Sequence, residues 1–349
     1  MSGYPRWWTQ VTPLTLLLAP VSWLYRMVVA LRRALYAAGV LRVERLPVPV
    51  IVVGNISAGG TGKTPLVLWL AERLREAGYV PGIVSRGYGA GAKINQPRAV
   101  DAQDDPALCG DEPVLLARRS GCPVWISADR VAAARALLAA NPACNVILSD
   151  DGLQHYRLAR DAEVAVIDGT RGHGNGWMLP VGPLREPPSR LNSVDAVVIR
   201  GNGAPPVDSI AVPRFTLALA PGAFYQLLHP RITAAAGHFR GLRVHAAAGI
   251  GNPEHFFTTL KGLGIDFTAH PFPDHHRYTP DDLAFEDFDT LDALDALEAR
   301  AVIVMTEKDA VKCARFATEN MWALGVTAQV DTRLATLLIE RLQTTRRKP

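Results

Sequence analysis

Cysteine is scarce in this chain. Its four residues, Cys109, Cys122, Cys144 and Cys313, show no C-x-x-C spacing, which excludes a secreted disulfide scaffold and gives no zinc motif, so they read as buried thiols in a reducing compartment. No internal repeat or low-complexity tract occurs. The dinucleotide fingerprint is incomplete: Gly249-Ile250-Gly251-Asn252 starts one, but Glu254 occupies the place of its third glycine, which excludes NAD. An uninterrupted apolar run is also missing. The uncharged stretch Trp7 to Tyr25 approaches the length of a spanning helix but contains Pro13 and Pro20 and is diluted by threonine and glutamine, so no transmembrane span is expected. No clear small-residue cleavage site follows it, so the leader is expected to stay attached.

What is present is a chain of 349 residues, 48% hydrophobic and 20% charged, able to bury a large core and long enough for two domains. The net charge of +4 is modest, and nucleic acid is not an expected partner. Basic residues nevertheless crowd the start (Arg6, Arg26, Arg32, Arg33, Arg42, Arg45) and the end (Arg346, Arg347, Lys348), and such clusters meet phosphate-rich surfaces. With Trp7, Trp8, Trp23, Tyr25 and Tyr36 among these arginines, the leader suits either a helix lying in a lipid headgroup region or an amphipathic helix packed on the domain.

Apolar β-branched runs alternate with helix-like segments, which predicts an α/β fold with a parallel sheet. Strands are expected near 48–53, 80–84, 123–126, 145–149, 163–168 and 194–199, and helices near 63–77, 111–120 and 129–140. Residues 215–228 read as a hairpin turning at Pro221-Gly222, and a second α/β unit starts near 230, with strands at 243–248 and 301–305 and helices at 253–263 and 309–317. A last helix carries Leu334, Leu337, Leu338 and Leu342 on one face and can pack on either unit.

Residues 54–64 read GNISAGGTGKT directly after the run Val48 to Val53. A strand that feeds a glycine-rich loop ending in Lys-Thr is the pattern of a phosphate-binding loop, in which Ser57, Ala58, Gly59, Gly60, Thr61 and Gly62 turn backbone N–H groups around phosphate oxygens. Lys63 supplies a charge near the transferable phosphate and Thr64 a hydroxyl for Mg²⁺. Ser57 stands where the usual pattern has its first glycine.

Strand 146–148 runs into Ser149-Asp150-Asp151-Gly152-Leu153-Gln154-His155, which places two acids at the carboxyl end of a buried strand, where Asp150 and Asp151 hold Mg²⁺ or cap the next segment. Gly110-Asp111-Glu112-Pro113 opens a helix. Its acids serve the helix dipole, or else Asp111 accepts or orients a hydroxyl proton while Glu112 helps with metal. Asp274-His275-His276 lies in a loop without cysteine partners, so a histidine paired with a carboxylate and surface chemistry are both open while zinc is not expected. Arg86 and Arg171 sit among glycines after strands, as ordinary loop residues or as guanidiniums delivered to phosphate.

Taken together, GNISAGGTGKTP, SRGYG, GDEP, DDGLQH, PVGPLREP, FPDHHRY and TEKDAVK, in this order along nearly the whole chain, resemble the tetraacyldisaccharide 4′-kinase family. The resemblance implies MgATP-dependent phosphorylation of the 4′-hydroxyl of an acylated glucosamine disaccharide 1-phosphate in lipid A synthesis, at the cytoplasmic face of the inner membrane of Gram-negative bacteria. It implies Asp111 and His275 as a catalytic pair, with Lys63 and Arg171 among the catalytic groups. Thr64, Glu112, Asp150 and Asp151 stand at the metal and Arg86 and His155 on the substrate. It also implies a membrane-associating helix at 1–40, a nucleotide-binding domain at 41–228 and a smaller domain at 229–349 joined by a hinge. A regulatory GTPase has a similar loop, but Thr306-Glu307-Lys308-Asp309 has the wrong spacing for a guanine reader. A non-catalytic ATP-binding membrane protein has no need of Asp111 and His275.

Overall fold

The computed structural model describes residues 5–91, 94–201, 203, 211–285 and 301–346, so Arg347 and Lys348 of the basic C-terminus lie outside the described residues. A long helix, α1 (Pro13–Ala37), comes first. It is followed by β1 (Val50–Gly54), α2 (Lys63–Glu76), β2 (Pro81–Ser85), β3 (Arg98–Val100), α3 (Pro106–Cys109), α4 (Asp111–Ser120), β4 (Val124–Ile126), α5 (Arg130–Ala140), β5 (Val146–Asp150), β6 (Ala162–Asp168) and β7 (Ala196–Arg200). The remainder is β8 (Arg214–Gln226), β9 (Thr233–Ala234), β10 (Val244–Ala248), α6 (Pro253–Gly262), β11 (Thr268–Pro271), β12 (Val302–Thr306), α7 (Glu307–Cys313), β13 (Met321–Val330) and α8 (Arg333–Arg346).

All the strands join one sheet in the order β11-β10-β12-β13-β8-β7-β6-β1-β5-β2-β4-β3, with β9 on β8. From β2 to β8 the neighbours run parallel, and β1 lies between β5 and β6. These strands read as nearly continuous apolar runs because both faces are covered. Ile51 and Val53 face a core with Leu66, Leu70 and Val114, while Val50 and Val52 face one with Val131, Leu137 and Ile147. A second parallel group, β11-β10-β12-β13, has its own cores around Phe224, Phe257 and Trp322 on one side and Tyr278 and Met305 on the other.

Two local expectations need correction. Residues 214–226 form a single strand, not a hairpin. Pro221-Gly222 does not reverse the chain, because β8 pairs antiparallel along its length with β13 and carries two residues, Gly222 and Ala223, opposite Gly325. The proline and glycine sit at a bulge, where a missing ladder donor is tolerated. The leader prolines do not break a helix either. Pro13 occupies the first turn of α1 behind the Thr12 cap, where its missing N–H costs nothing, and Pro20 lies inside a helix that continues for 25 residues. By length and composition α1 could cross a membrane, with mean hydropathy 1.7 and only 11% of its apolar window buried.

The last helix settles on the first unit. Leu334, Leu338 and Leu342 are buried in the core that contains Leu66 and Leu70 of α2. Leu338→Ala is therefore expected to destabilise that unit by about 2–5 kcal/mol in urea unfolding followed by tryptophan fluorescence, and a loss below about 1 kcal/mol would contradict this packing.

Candidate active site

The loop after β1 is held from within. Asn55 is buried, and its Nδ2 donates to the carbonyls of Ser57 at 2.7 Å and Gly59 at 3.4 Å. Gln154 Nε2 donates to the Asn55 carbonyl at 3.0 Å and to Glu186 Oε1 at 2.8 Å, and the Ala58 N–H donates to Pro183 at 2.8 Å. These bonds fix the base of the loop while Gly59 and Gly60 stay exposed at its crest. Gly62 has φ 89°, and a Cβ there would lie 2.7 Å from Arg200 Cδ, so glycine is required for both conformation and space. The first turn of α2 then starts without a side-chain cap, which leaves its N–H groups directed at the loop. Lys63 Nζ lies 3.3 Å from Asn55 Oδ1 and 3.5 Å from Asp151 Oδ1.

The two aspartates ending β5 are unlike. Asp150 is fully enclosed; Ser85 Oγ donates to its Oδ2 at 3.3 Å and its Oδ1 has no hydrogen-bond partner among the described residues. Burial, together with the charge of Glu112, pushes its carboxyl up to about 7 against the pull of Lys63. Asp151 also pays for burial, but Lys63 and Arg185, the latter with Nη1 at 3.2 Å and 3.3 Å from its two oxygens, hold it below the usual carboxylate range. Asp151 has φ 49° and His275 φ 60°, the only non-glycine residues at positive φ among those described. Such backbone persists where surroundings over-determine it.

Across the sheet, Gly110 at φ 90° starts α4; a Cβ there would meet the Tyr88 carbonyl at 2.2 Å. That turn delivers Asp111, 4% exposed, to the loop after β11, where its Oδ2 lies 3.0 Å from His275 Nδ1. Its Oδ1 accepts the Glu112 N–H at 3.0 Å. Lys308 Nζ, from the first turn of α7, lies 3.3 Å from Glu112 Oε1 and 3.6 Å from Asp111 Oδ2. Burial opposes ionisation of Asp111, but the His275 hydrogen bond and the Lys308 charge outweigh it and hold the carboxyl low. The same bond raises His275 above its ordinary value against burial and Lys308. With an ionised carboxylate as acceptor, His275 Nδ1–H is the donor. A cavity of about 180 Å³, lined by Gly89, Asp111, His275, Arg277, Lys312 and Arg315 among others, opens beside the pair.

A family model described as Tetraacyldisaccharide-1-P 4′-kinase matches residues 14–343. The chain belongs to the tetraacyldisaccharide-1-P 4′-kinase family. It is 49% identical over 346 residues to the tetraacyldisaccharide 4′-kinase of Azoarcus sp., covering 98% of this chain and 96% of that protein. It is 51% identical over 332 residues to that of Dechloromonas aromatica, covering 95% and 93%. A crystal structure of the "apo" form of LpxK from Aquifex aeolicus in complex with ATP superposes with TM-score 0.76 at 28% identity, covering 94% of this chain and 99% of that one. The protein is thus an ATP-dependent kinase, and a lipid A precursor is its acceptor.

Within this tetraacyldisaccharide-1-P 4′-kinase fold the other expected residues stand as follows. Glu112 is bound to Lys308 rather than left free. Arg86 is exposed in the loop after β2. Arg171 donates to the Gly251 carbonyl at 3.4 Å and lies 3.8 Å from Asp168, linking the loop after β6 to the loop after β10. His155 Nε2 is 3.8 Å from Asp129 Oδ1, and burial with nearby Arg130 depresses the imidazole to about 4, so it is neutral at pH 7. Asn55, Gln154, Arg185, Glu186 and Lys308 were not singled out from sequence. They lie inside recognisable segments, but what engages them is far along the chain, and no local spacing reveals a bond from Lys308 to Glu112.

Because the pair shifts reciprocally, its attraction is present above the lowered Asp111 value and is lost again as pH rises through the raised His275 value. NMR titration should place His275 above 6.5, and Asp111→Asn should bring it down; a His275 value unmoved by that substitution would contradict the pairing.

Proposed function

We propose that phosphoryl transfer runs along the string of charges from Lys63 to His275, at the carboxyl ends of β1, β2 and β5. The observation that carries this reading is the buried Asp111 carboxylate, bonded to His275 and next in sequence to Glu112, whose charge reaches Asp150 beside Lys63. Residues 57–62 and the uncapped start of α2 would hold the phosphates of ATP. Lys63, drawn from Asp151 and Asn55, then neutralises the transferred group. Asp151, clasped by Arg185, is better suited to parking Lys63 than to binding metal directly.

Thr64, Asp150 and Glu112 offer hard oxygen donors of the kind Mg²⁺ prefers, and the unpartnered Asp150 Oδ1 fits a cation or its water. When bound, Mg²⁺ supplies charge neutralisation at the phosphate oxygens. Asp111 takes the proton of the acceptor 4′-hydroxyl as that oxygen bonds to phosphorus and the bond to ADP breaks. His275 occupies Oδ2, so the receiving oxygen is Oδ1, which faces Gly89 where a Cβ would stand only 3.3 Å away. Glycine there leaves room for the hydroxyl. Arg171 answers transition-state charge, and Arg86 and neutral His155 contact the acceptor.

The acceptor comes from a bilayer, since acyl chains resist leaving it by about 0.8 kcal/mol per methylene. α1 meets it there: Leu17, Trp23, Leu24, Met27 and Leu31 are exposed on a helix that docks through buried Ser22 and through Tyr25 and Val29. We place the protein at the cytoplasmic face of the inner membrane, with 41–228 carrying the nucleotide and 229–349 closing over it, α8 returning to the first unit.

Asp111→Ala and His275→Ala should each lower kcat by about 10²–10⁴-fold while changing ATP affinity less than about threefold; normal turnover in both variants would refute the pair. Leu17→Glu combined with Leu24→Glu should cut sedimentation with anionic vesicles by about tenfold or more without changing ATP affinity. Unchanged vesicle association would leave α1 a packing element only.

A further inference from the structure

The first turn of α7 is dense with charge, and most of it is committed locally. Glu307 is buried on Arg119 of α4 and accepts the Val326 N–H at 2.9 Å. Asp309, fully buried, accepts from the Gly249 N–H at 3.0 Å, Thr306 Oγ1 at 2.6 Å and Lys312 at 2.8 Å. These bonds lock the turn in place. Lys308 alone of the three residues opening the helix reaches the catalytic carboxylates. Its side chain is 20% exposed, and Nζ lies 3.3 Å from Glu112, 3.6 Å from Asp111 Oδ2 and 3.8 Å from Asp274. Burial of an ammonium is unfavourable, and Glu112, Asp111 and Asp274 together keep it protonated.

The position on Oδ2 is informative. A carboxylate whose two oxygens exchange by rotation cannot present one of them reliably to a substrate. Here His275 and Lys308 both address Oδ2 and the Glu112 N–H addresses Oδ1. We propose that Lys308 is a positioning residue for the catalytic pair: carried in on α7, its ammonium fixes Asp111 with Oδ2 turned to His275 and Oδ1 turned to the acceptor hydroxyl. Lys308 also separates the charges of Asp111, Glu112 and Asp274, which would otherwise repel one another across a few ångströms. It touches neither the acceptor nor ATP in this role.

The inference rests on Asp111 as the base, so Asp111→Ala is included as a control. Lys308→Met should lower kcat by roughly 10- to 100-fold with little change in the KM for ATP, and Lys308→Arg should recover at least a third of wild-type kcat. The double variant Lys308→Met with His275→Ala should be no more than about threefold slower than His275→Ala, because both groups act through one oxygen. Wild-type kcat in Lys308→Met, or a double loss equal to the product of the single losses, overturns the role of Lys308 while an inactive Asp111→Ala leaves the base in place. Turnover retained by Asp111→Ala overturns the base itself. Should Lys308→Met fold poorly by thermal denaturation, Lys308→Gln and Lys308→Arg carry the same comparison: slow glutamine with active arginine supports the proposal, and equal rates overturn it.

Discussion

A hydrogen bond of 3.0 Å between Asp111 at the start of α4 and His275 in the loop after β11 ties together parts of the chain 164 residues apart. It depends on three conditions. Gly110 must take a backbone that no side chain permits, so that α4 starts with a buried acid. His275 must sit at positive φ to turn its ring inward. β8 and β13 must pair, because that antiparallel ladder is what joins the second parallel group to the first in one sheet. An error in any of these separates the carboxylate from its partner, and a lone carboxylate buried as deeply as Asp111 would tend to take up a proton.

The site works by giving similar groups different surroundings. Asp150 and Asp151 are adjacent in sequence, yet burial and Glu112 lift the first to about 7 while Lys63 and Arg185 keep the second low. A carboxylate short of compensating charge suits a divalent cation, and one already paired suits the control of a lysine. Asp111 and Glu112 share Lys308, but His275 bonds to Asp111. Phosphoryl transfer demands placed charges more than covalent chemistry, and this distribution meets that demand.

Much of the first unit was legible because its information is local. The β-branched runs at 48–53 and 145–149 and the Lys-Thr after Gly62 specify strand, loop and helix within short windows. Asp111 and His275 were legible as residue types, and the family resemblance supplied their partnership. What was missed is non-local. Residues 215–228 read as a hairpin because Pro221-Gly222 is a turn signal, and only the distant β13, also unforeseen, keeps the strand straight. Pro20 read as a breaker although α1 continues through it. Lys308 was visible in TEKDAVK but silent, since its meaning comes from carboxylates nearly two hundred positions earlier in the chain.

The leader is seated beside this chemistry, and its apolar residues are largely exposed. Tyr25 hydroxyl donates to the Arg185 carbonyl at 3.3 Å, Ser22 to the Met178 carbonyl at 2.8 Å, and Trp8 Nε1 to the Pro180 carbonyl at 2.9 Å, so α1 is seated on the segment that also holds Asp151 through Arg185. The leader helix and the carboxylate that parks Lys63 thus rest on the same segment. The most direct test is a crystal structure with ADP, Mg²⁺, a planar phosphoryl mimic and the acylated disaccharide 1-phosphate. The account predicts the 4′-oxygen about 3 Å from Asp111 Oδ1, in line with the mimic, with His275 still on Oδ2; a 4′-oxygen approached instead by Asp150 or Asp151, with His275 away from Asp111, would contradict it.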